Sequence, residues 1–142
     1  MILYLDTSAV VKLHVDEEHT EAARLWVDAA ERLATSIITL PEAAAAFAKR
    51  RRLGHLDEEE AERLIASVTS EWTRYAHIFV DASEAAAMAW RHGLRGMDAV
   101  QLAAASTVRA EVGDDALAFA SFDDRLNRAA AAEGLLVLHP PK

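Results

Sequence analysis

A chain of 142 residues, 52% of them hydrophobic and 27% charged, can bury one core; this predicts a single domain over residues 1–142 and excludes a disordered chain. With 15 Lys+Arg against 23 Asp+Glu the net charge is −8, so binding of nucleic acid through the overall field is excluded and any such contact must be a local basic patch. The absence of cysteine removes disulfide scaffolds, zinc ribbons, thiol nucleophiles and iron-sulfur clusters together, and fits a reducing cytoplasm.

In chain order, Ile2 to Leu5 is a short apolar run that ends at Asp6-Thr7-Ser8, which predicts a buried strand followed by a helix start. The run carries no basic leader and meets Asp6 at once, so it reads as neither a signal peptide nor an anchor, and no apolar stretch approaches the ~20 residues of a membrane helix. A soluble protein is expected. From Thr20 to Leu33, residues Ala22, Leu25, Trp26, Ala29 and Leu33 recur at helical spacing, and Ala34 to Ile38 reads as a second strand. Pro41 suits a first turn, so a helix is expected over Glu42 to Leu53, stopped by Gly54. Asp57 with Glu60 is a capping pattern that opens a helix reaching about Trp72.

His77 to Val80 is the expected third strand, after which Asp81 with Glu84 repeats the capping pattern before a helix ending near Gly93. A helix from Met97 to about Ala110, a strand from Ala116 to Ala120, a helix from Arg125 to Glu133 and a strand from Leu135 to Leu138 complete the chain. Apolar strands alternating with helices predict an α/β fold of three layers, helices covering both faces of a parallel sheet of about five strands.

In such sheets ligands collect at the carboxyl ends of the strands. Asp6 closes the first strand, Asp123 follows the fourth, and Glu42 and Asp98 lie in first turns of helices, so four carboxylates can face one crevice. Singly each has a plainer reading as a helix cap or dipole partner, and Asp57 and Asp81 are left as caps. Jointly they differ, because converging carboxylates repel at low dielectric unless a divalent cation sits among them. Carboxylate oxygens without Cys or paired His select Mg²⁺ or Mn²⁺ over zinc, ions that activate water and stabilise phosphoryl displacement. The histidines show no spacing that brings two onto one helix face.

Four stretches, Leu3-Tyr4-Leu5-Asp6-Thr7-Ser8-Ala9, Pro41-Glu42-Ala43, Gly96-Met97-Asp98-Ala99-Val100-Gln101-Leu102-Ala103 and Ser121-Phe122-Asp123-Asp124-Arg125-Leu126, carry a resemblance. In order and spacing the chain resembles a PIN-domain ribonuclease, and within that family the toxin subunit of a VapBC toxin-antitoxin pair. The resemblance implies a Mg²⁺- or Mn²⁺-dependent endoribonuclease in which Asp6, Glu42, Asp98 and Asp123 are the acidic set, with Asp6, Asp98 and Asp123 on the metal. It also implies a homodimer and a VapB-type antitoxin as partner. Ser121 matches the small hydroxyl residue two before the last acid, which selects Asp123 over Asp124 and leaves Asp124 an auxiliary or a cap. Gln101 stands where relatives often have His and reads as structural.

Lys49-Arg50-Arg51-Arg52 is the densest basic run, open both to RNA-phosphate contact and to the plainer reading of a solvated helix end. Trp26, Trp72 and Trp90 fall on apolar helix faces and read as core or partner surface. Three alternatives stay open: a housekeeping PIN nuclease, a phosphatase of the haloacid-dehalogenase type, against which Ser8 stands where a second acid is needed, and a non-catalytic interaction module.

Overall fold

A computed structural model describes residues 1–142. Five strands, β1 (Ile2–Leu5), β2 (Arg32–Ser36), β3 (Tyr75–Ile78), β4 (Leu117–Ala120) and β5 (Leu136–Val137), form one parallel sheet in the order β3-β2-β1-β4-β5. Seven helices surround it: α1 (Thr7–His14), α2 (Thr20–Ala29), α3 (Thr39–Arg52), α4 (Glu58–Glu71), α5 (Ala82–His92), α6 (Gly96–Val112) and α7 (Asp124–Ala132). The expected α/β class, parallel sheet and strand count are all present.

The layering follows from the two-residue period of the strands. In β1, Leu3 and Leu5 point to a core built with Val10, Val11, Phe47 and Val68 from α1, α3 and α4, while Tyr4 points the other way. There Tyr4 stacks on its register partner Phe119, ring centroids 5.7 Å apart, within a second core closed by α6, α7 and Leu94. Ala99, Ala103, Ala104 and Ala105 are buried in α6, small enough to bring that helix close to the sheet. No helix is long and apolar enough to cross a membrane.

Several boundaries differ from expectation, and pairing decides them. The second strand starts at Arg32, two residues early, because Leu33 pairs with Leu3 and so joins the sheet instead of the preceding helix, which ends at Ala29. Ile37 and Ile38 fall outside β2, Ile37 being exposed and Ile38 preceding α3. That helix begins at Thr39, so Pro41 occupies its third position, where its missing N–H is one the helix leaves unpaired anyway. The third strand likewise runs Tyr75–Ile78 and leaves Val80 outside, and β5 is only Leu136–Val137. Asp57 and Glu60 form the full capping box, whereas Asp81 caps α5 by accepting from Ser83 N with no return bond from Glu84. Trp26 and Trp72 pack against the sheet's first core, but Trp90 is 92% exposed and belongs to no core.

Candidate active site

The strand order turns at β1, from which the chain passes to β2 on one side and β4 on the other, so the crevice expected of such a sheet opens beyond the ends of β1 and β4. Asp6 leaves β1 there: its N–H donates to Ala120 O and its carboxylate caps α1 by accepting from Ala9 N at 2.9 Å. On the other side of the crevice the loop after β4 carries Ser121, Phe122 and Asp123, and Asp123 caps α7 through Leu126 N at 3.0 Å. Glu42 enters from the first turns of α3, and Asp98 from the first turn of α6, which runs back along the sheet.

A pocket of about 400 Å³ opens at this point, and Asp6, Glu42, Asp98 and Asp123 all line it. Thr7, Ser8, Lys12, Glu17, Arg50, Gln101 and Phe122 share the lining. Both readings of the aspartates hold together: Asp6 and Asp123 cap helices and face the pocket. Of the remaining sequence candidates, Ser121 is buried behind the pocket with its hydroxyl on Asp6 at 2.6 Å. Asp124 is exposed and outside the lining. The basic run divides, since successive helical residues point about 100° apart: Arg50 reaches the pocket, Arg51 pairs with Glu58 at 3.2 Å, and Lys49 and Arg52 face solvent.

Two serines tie the halves of the site together. Ser8 Oγ donates to one oxygen of Asp6 at 2.7 Å and accepts from Phe122 N at 2.8 Å. Ser121 Oγ donates to the other oxygen and accepts from Asp123 N at 3.0 Å. Each hydroxyl thus passes a backbone donor of the β4–α7 loop into the same carboxylate. Beneath them Gln101, buried on α6, accepts from Tyr4 Oη at 2.6 Å, and its amide nitrogen faces Thr7, Thr39 and Glu42 at 3.0 to 3.1 Å. Thr7 Oγ1 donates to Glu42 at 2.6 Å. Gln101 therefore builds the floor of the pocket as well as its core. Thr7 and Ser8 stand outside the site residues expected from the sequence, although both follow Asp6 in the first turn of α1: Ser8 reaches back to Asp6, while Thr7 reaches across to Glu42 on α3.

The acids feel one another. Burial pushes the Asp6 carboxyl up to about 6; the hydrogen bonds from Ser121, Ser8 and Ala9 act against that, and Asp123 adds to it. Asp98 is raised by partial burial and then by Asp123 and Glu42, with Arg95 and Arg125 opposing. Tyr4, fully buried near the same acids, is held well above the ordinary phenol range, by burial first and then by Asp6.

No three His, Cys, Asp or Glu side chains stand close enough to enclose an ion as they are. Protein donors hold Asp6, Glu42 and Asp123, and none reaches Asp98. The donor chemistry nonetheless suits a hard cation: carboxylate and hydroxyl oxygens without sulfur or imidazole, in a pocket roomy enough to keep waters on the ion, as Mg²⁺ prefers. The phosphatase alternative fails here, because the position of its second acid is Ser8, whose hydroxyl is spent on Asp6 and Phe122.

The PIN domain profile matches residues 3–132. Ribonuclease VapC45 of Mycobacterium tuberculosis is 34% identical over 143 aligned positions, covering 96% of this chain and 94% of its own. The crystal structure of M. tuberculosis VapC20, described as a sarcin-ricin loop cleaving toxin, superposes with a TM-score of 0.66 at 22% identity, covering 97% of this chain and 99% of that one. VapBC2 from Rickettsia felis, solved bound to a DNA fragment from its promoter, gives a TM-score of 0.59 at 18% identity and covers 97% of this chain and 98% of that one. This chain belongs to the PIN-domain family and, within it, to the VapC ribonucleases.

Proposed function

We propose that the protein is a divalent-metal-dependent endoribonuclease, the toxin of a VapBC-type pair, with Asp6, Glu42, Asp98 and Asp123 as its acidic set. The observation that carries this reading is the shared pocket: four carboxylates at the carboxyl ends of β1 and β4, two of them with raised pKa, in a chain similar to VapC ribonucleases over nearly its whole length. Asp6, Asp98 and Asp123 would hold Mg²⁺ or Mn²⁺, which when bound supplies charge to the phosphate and activates water. Ser8 and Ser121 fix both oxygens of Asp6 and the loop bearing Asp123, so the two acids keep their spacing when RNA arrives. Asp98, partly buried and free of protein donors, would offer its carboxylate oxygens to the metal ion without first giving up a bond. Thr7 and Gln101 hold Glu42 toward the same space.

The reading extends to partners. A pocket of acids in a protein of net charge −8 favours inhibition by a basic side chain from an antitoxin, which would pair with the carboxylates in place of the metal. VapBC2 of R. felis, similar to this chain in fold, was solved bound to a DNA fragment from its promoter, and its name pairs a VapC with a VapB partner. A homodimer, a single domain over residues 1–142 and a cytoplasmic location complete the proposal. Sequencing RNA ends after expression of the protein and of Asp6→Asn tests it: new ends and growth arrest are expected with the first and neither with the second. Equal cleavage by both would refute the site, and cleavage without growth arrest would assign a housekeeping nuclease.

A further inference from the structure

An acidic pocket in an acidic protein poses a problem for a polyanionic substrate: the carboxylates that suit a metal repel RNA. Two cations line the pocket, Lys12 on α1 and Arg50 on α3. Neither pairs with any of the four site acids. Both meet Glu17, in the loop between α1 and α2, whose Oε1 lies 2.9 Å from Lys12 Nζ and whose Oε2 lies 3.9 Å from Arg50. One carboxylate thus joins the two cations through its two oxygens. A phosphodiester also presents two anionic oxygens from one centre, so a group of that shape can meet both cations at once.

The surroundings hold this arrangement in place. Lys12 Nζ sits 4.9 Å from the centre of the Phe122 ring, and Phe122 is stacked on Trp26 of α2 at 5.6 Å, so the ammonium is fixed at the mouth of the pocket with its side chain 15% exposed. The loop is pinned at Thr20, whose hydroxyl donates to Val15 O and accepts from Glu17 N at 3.1 Å. Glu17 itself is 37% exposed, at the edge where an incoming strand would replace it.

We propose that Lys12 and Arg50 form the phosphate-binding edge of the active site, and that Glu17 occupies them in the RNA-free protein as a carboxylate in place of the substrate phosphate. This rests on the ribonuclease reading above; it adds Lys12 as a substrate-binding residue and Glu17 as its competitor. RNA binding then exchanges one anion for another at the same two cations, which limits unproductive capture of polyanions.

The test is fluorescence anisotropy with a short single-stranded RNA of mixed sequence, in chelator so that cleavage is off, for the full chain and for Lys12→Gln, Glu17→Gln and Arg63→Gln. Arg63 is exposed on α4, outside the pocket lining, and its variant controls for simple loss of charge. Glu17→Gln is expected to bind about two- to fivefold tighter, the scale of one partly exposed ion pair released. Lys12→Gln is expected to bind more weakly and to flatten the dependence of log affinity on log salt by about 0.7, the loss of one phosphate contact on a single strand. Arg63→Gln should leave that slope unchanged. Weaker or equal binding by Glu17→Gln, or a slope for Lys12→Gln equal to that of the parent or matched by Arg63→Gln, would overturn the proposal. A gain of affinity in Glu17→Gln cannot come from misfolding. If the parent, given metal, cleaves no RNA, it is the ribonuclease reading that fails, whereas a cleaving parent with an unaltered Lys12→Gln slope refutes only the phosphate edge.

Discussion

The buried carboxylate of Asp6 makes the stability of the metal-free protein fall as pH rises. Only 4% exposed, it titrates at about 6 when folded against an ordinary 3.8, so the folded state holds a proton that the unfolded chain gives up more readily. Its favourable contribution is complete below about pH 4 and is lost as pH passes through 6, which places a cost of about 3 kcal/mol on the ionised site at pH 8. Asp6→Asn removes the ionisation. The Asn oxygen keeps Ala9 N and Ser8 Oγ, while its amide nitrogen turns to Ser121 Oγ, an exchange that returns about 1 kcal/mol of the gain. The variant should therefore be more stable than the parent by about 2 kcal/mol at pH 8, or about 6 °C in Tm, with the gap closing at about pH 4.5 and reversing below it. Urea unfolding of both proteins across that range, in chelator, measures it. A variant less stable at pH 8, or a gap that does not change with pH, would refute the reasoning.

Mg²⁺ or Mn²⁺ should raise the Tm of chelator-stripped protein, by about 2.7 kcal/mol of added stability at a hundredfold excess over Kd, and Asp6→Asn should lose most of that response; a melting curve indifferent to metal would count against the site. Asp123→Asn should keep its cap on α7 and its Tm while cleavage falls by about 100-fold or more, whereas Asp124→Asn should leave both intact; equal losses would make Asp124 the working acid. Gln101→Leu should lower stability by about 1 to 3 kcal/mol in urea unfolding, because it leaves Tyr4 Oη without its buried partner, while Thr39 keeps Thr35 at 2.7 Å.

The junctions that carry the acids were the most legible part of the chain. An apolar run broken by an acid and a hydroxyl, as at Leu5-Asp6-Thr7, marks a strand end and a helix cap at once, and both marks proved right. The edges of β2 and β3 were less legible because Leu33 satisfies a helical period and a strand pairing equally well, and only its register opposite Leu3 decides. Lys49 to Arg52 formed a block in sequence but scattered in space, while Lys12, Glu17 and Arg50 looked unrelated and meet at one point. Linear spacing reports neighbours on one helix; a contact between α1, the loop after it and α3 depends on how those segments pack, which no local pattern encodes.

Asp6 and Asp123 cap helices, and Glu42 and Asp98 lie in first turns, so the fold itself accommodates all four acids. Because α1, α3, α6 and α7 all begin at the carboxyl end of the sheet, their positive ends converge on the pocket, and each acid lies at the cap or within the first turns of one of them. The partial positive charge of each helix start offsets part of the repulsion among the carboxylates. The same geometry complicates mutagenesis. Asp123→Ala would remove a ligand oxygen and also leave Leu126 N without its cap, at a cost of about 1 kcal/mol, so lost cleavage in that variant would mix chemistry with stability. Asparagine caps a helix as well as aspartate does but cannot carry the charge. At Asp6 and Asp123 it is therefore the substitution that separates the two roles.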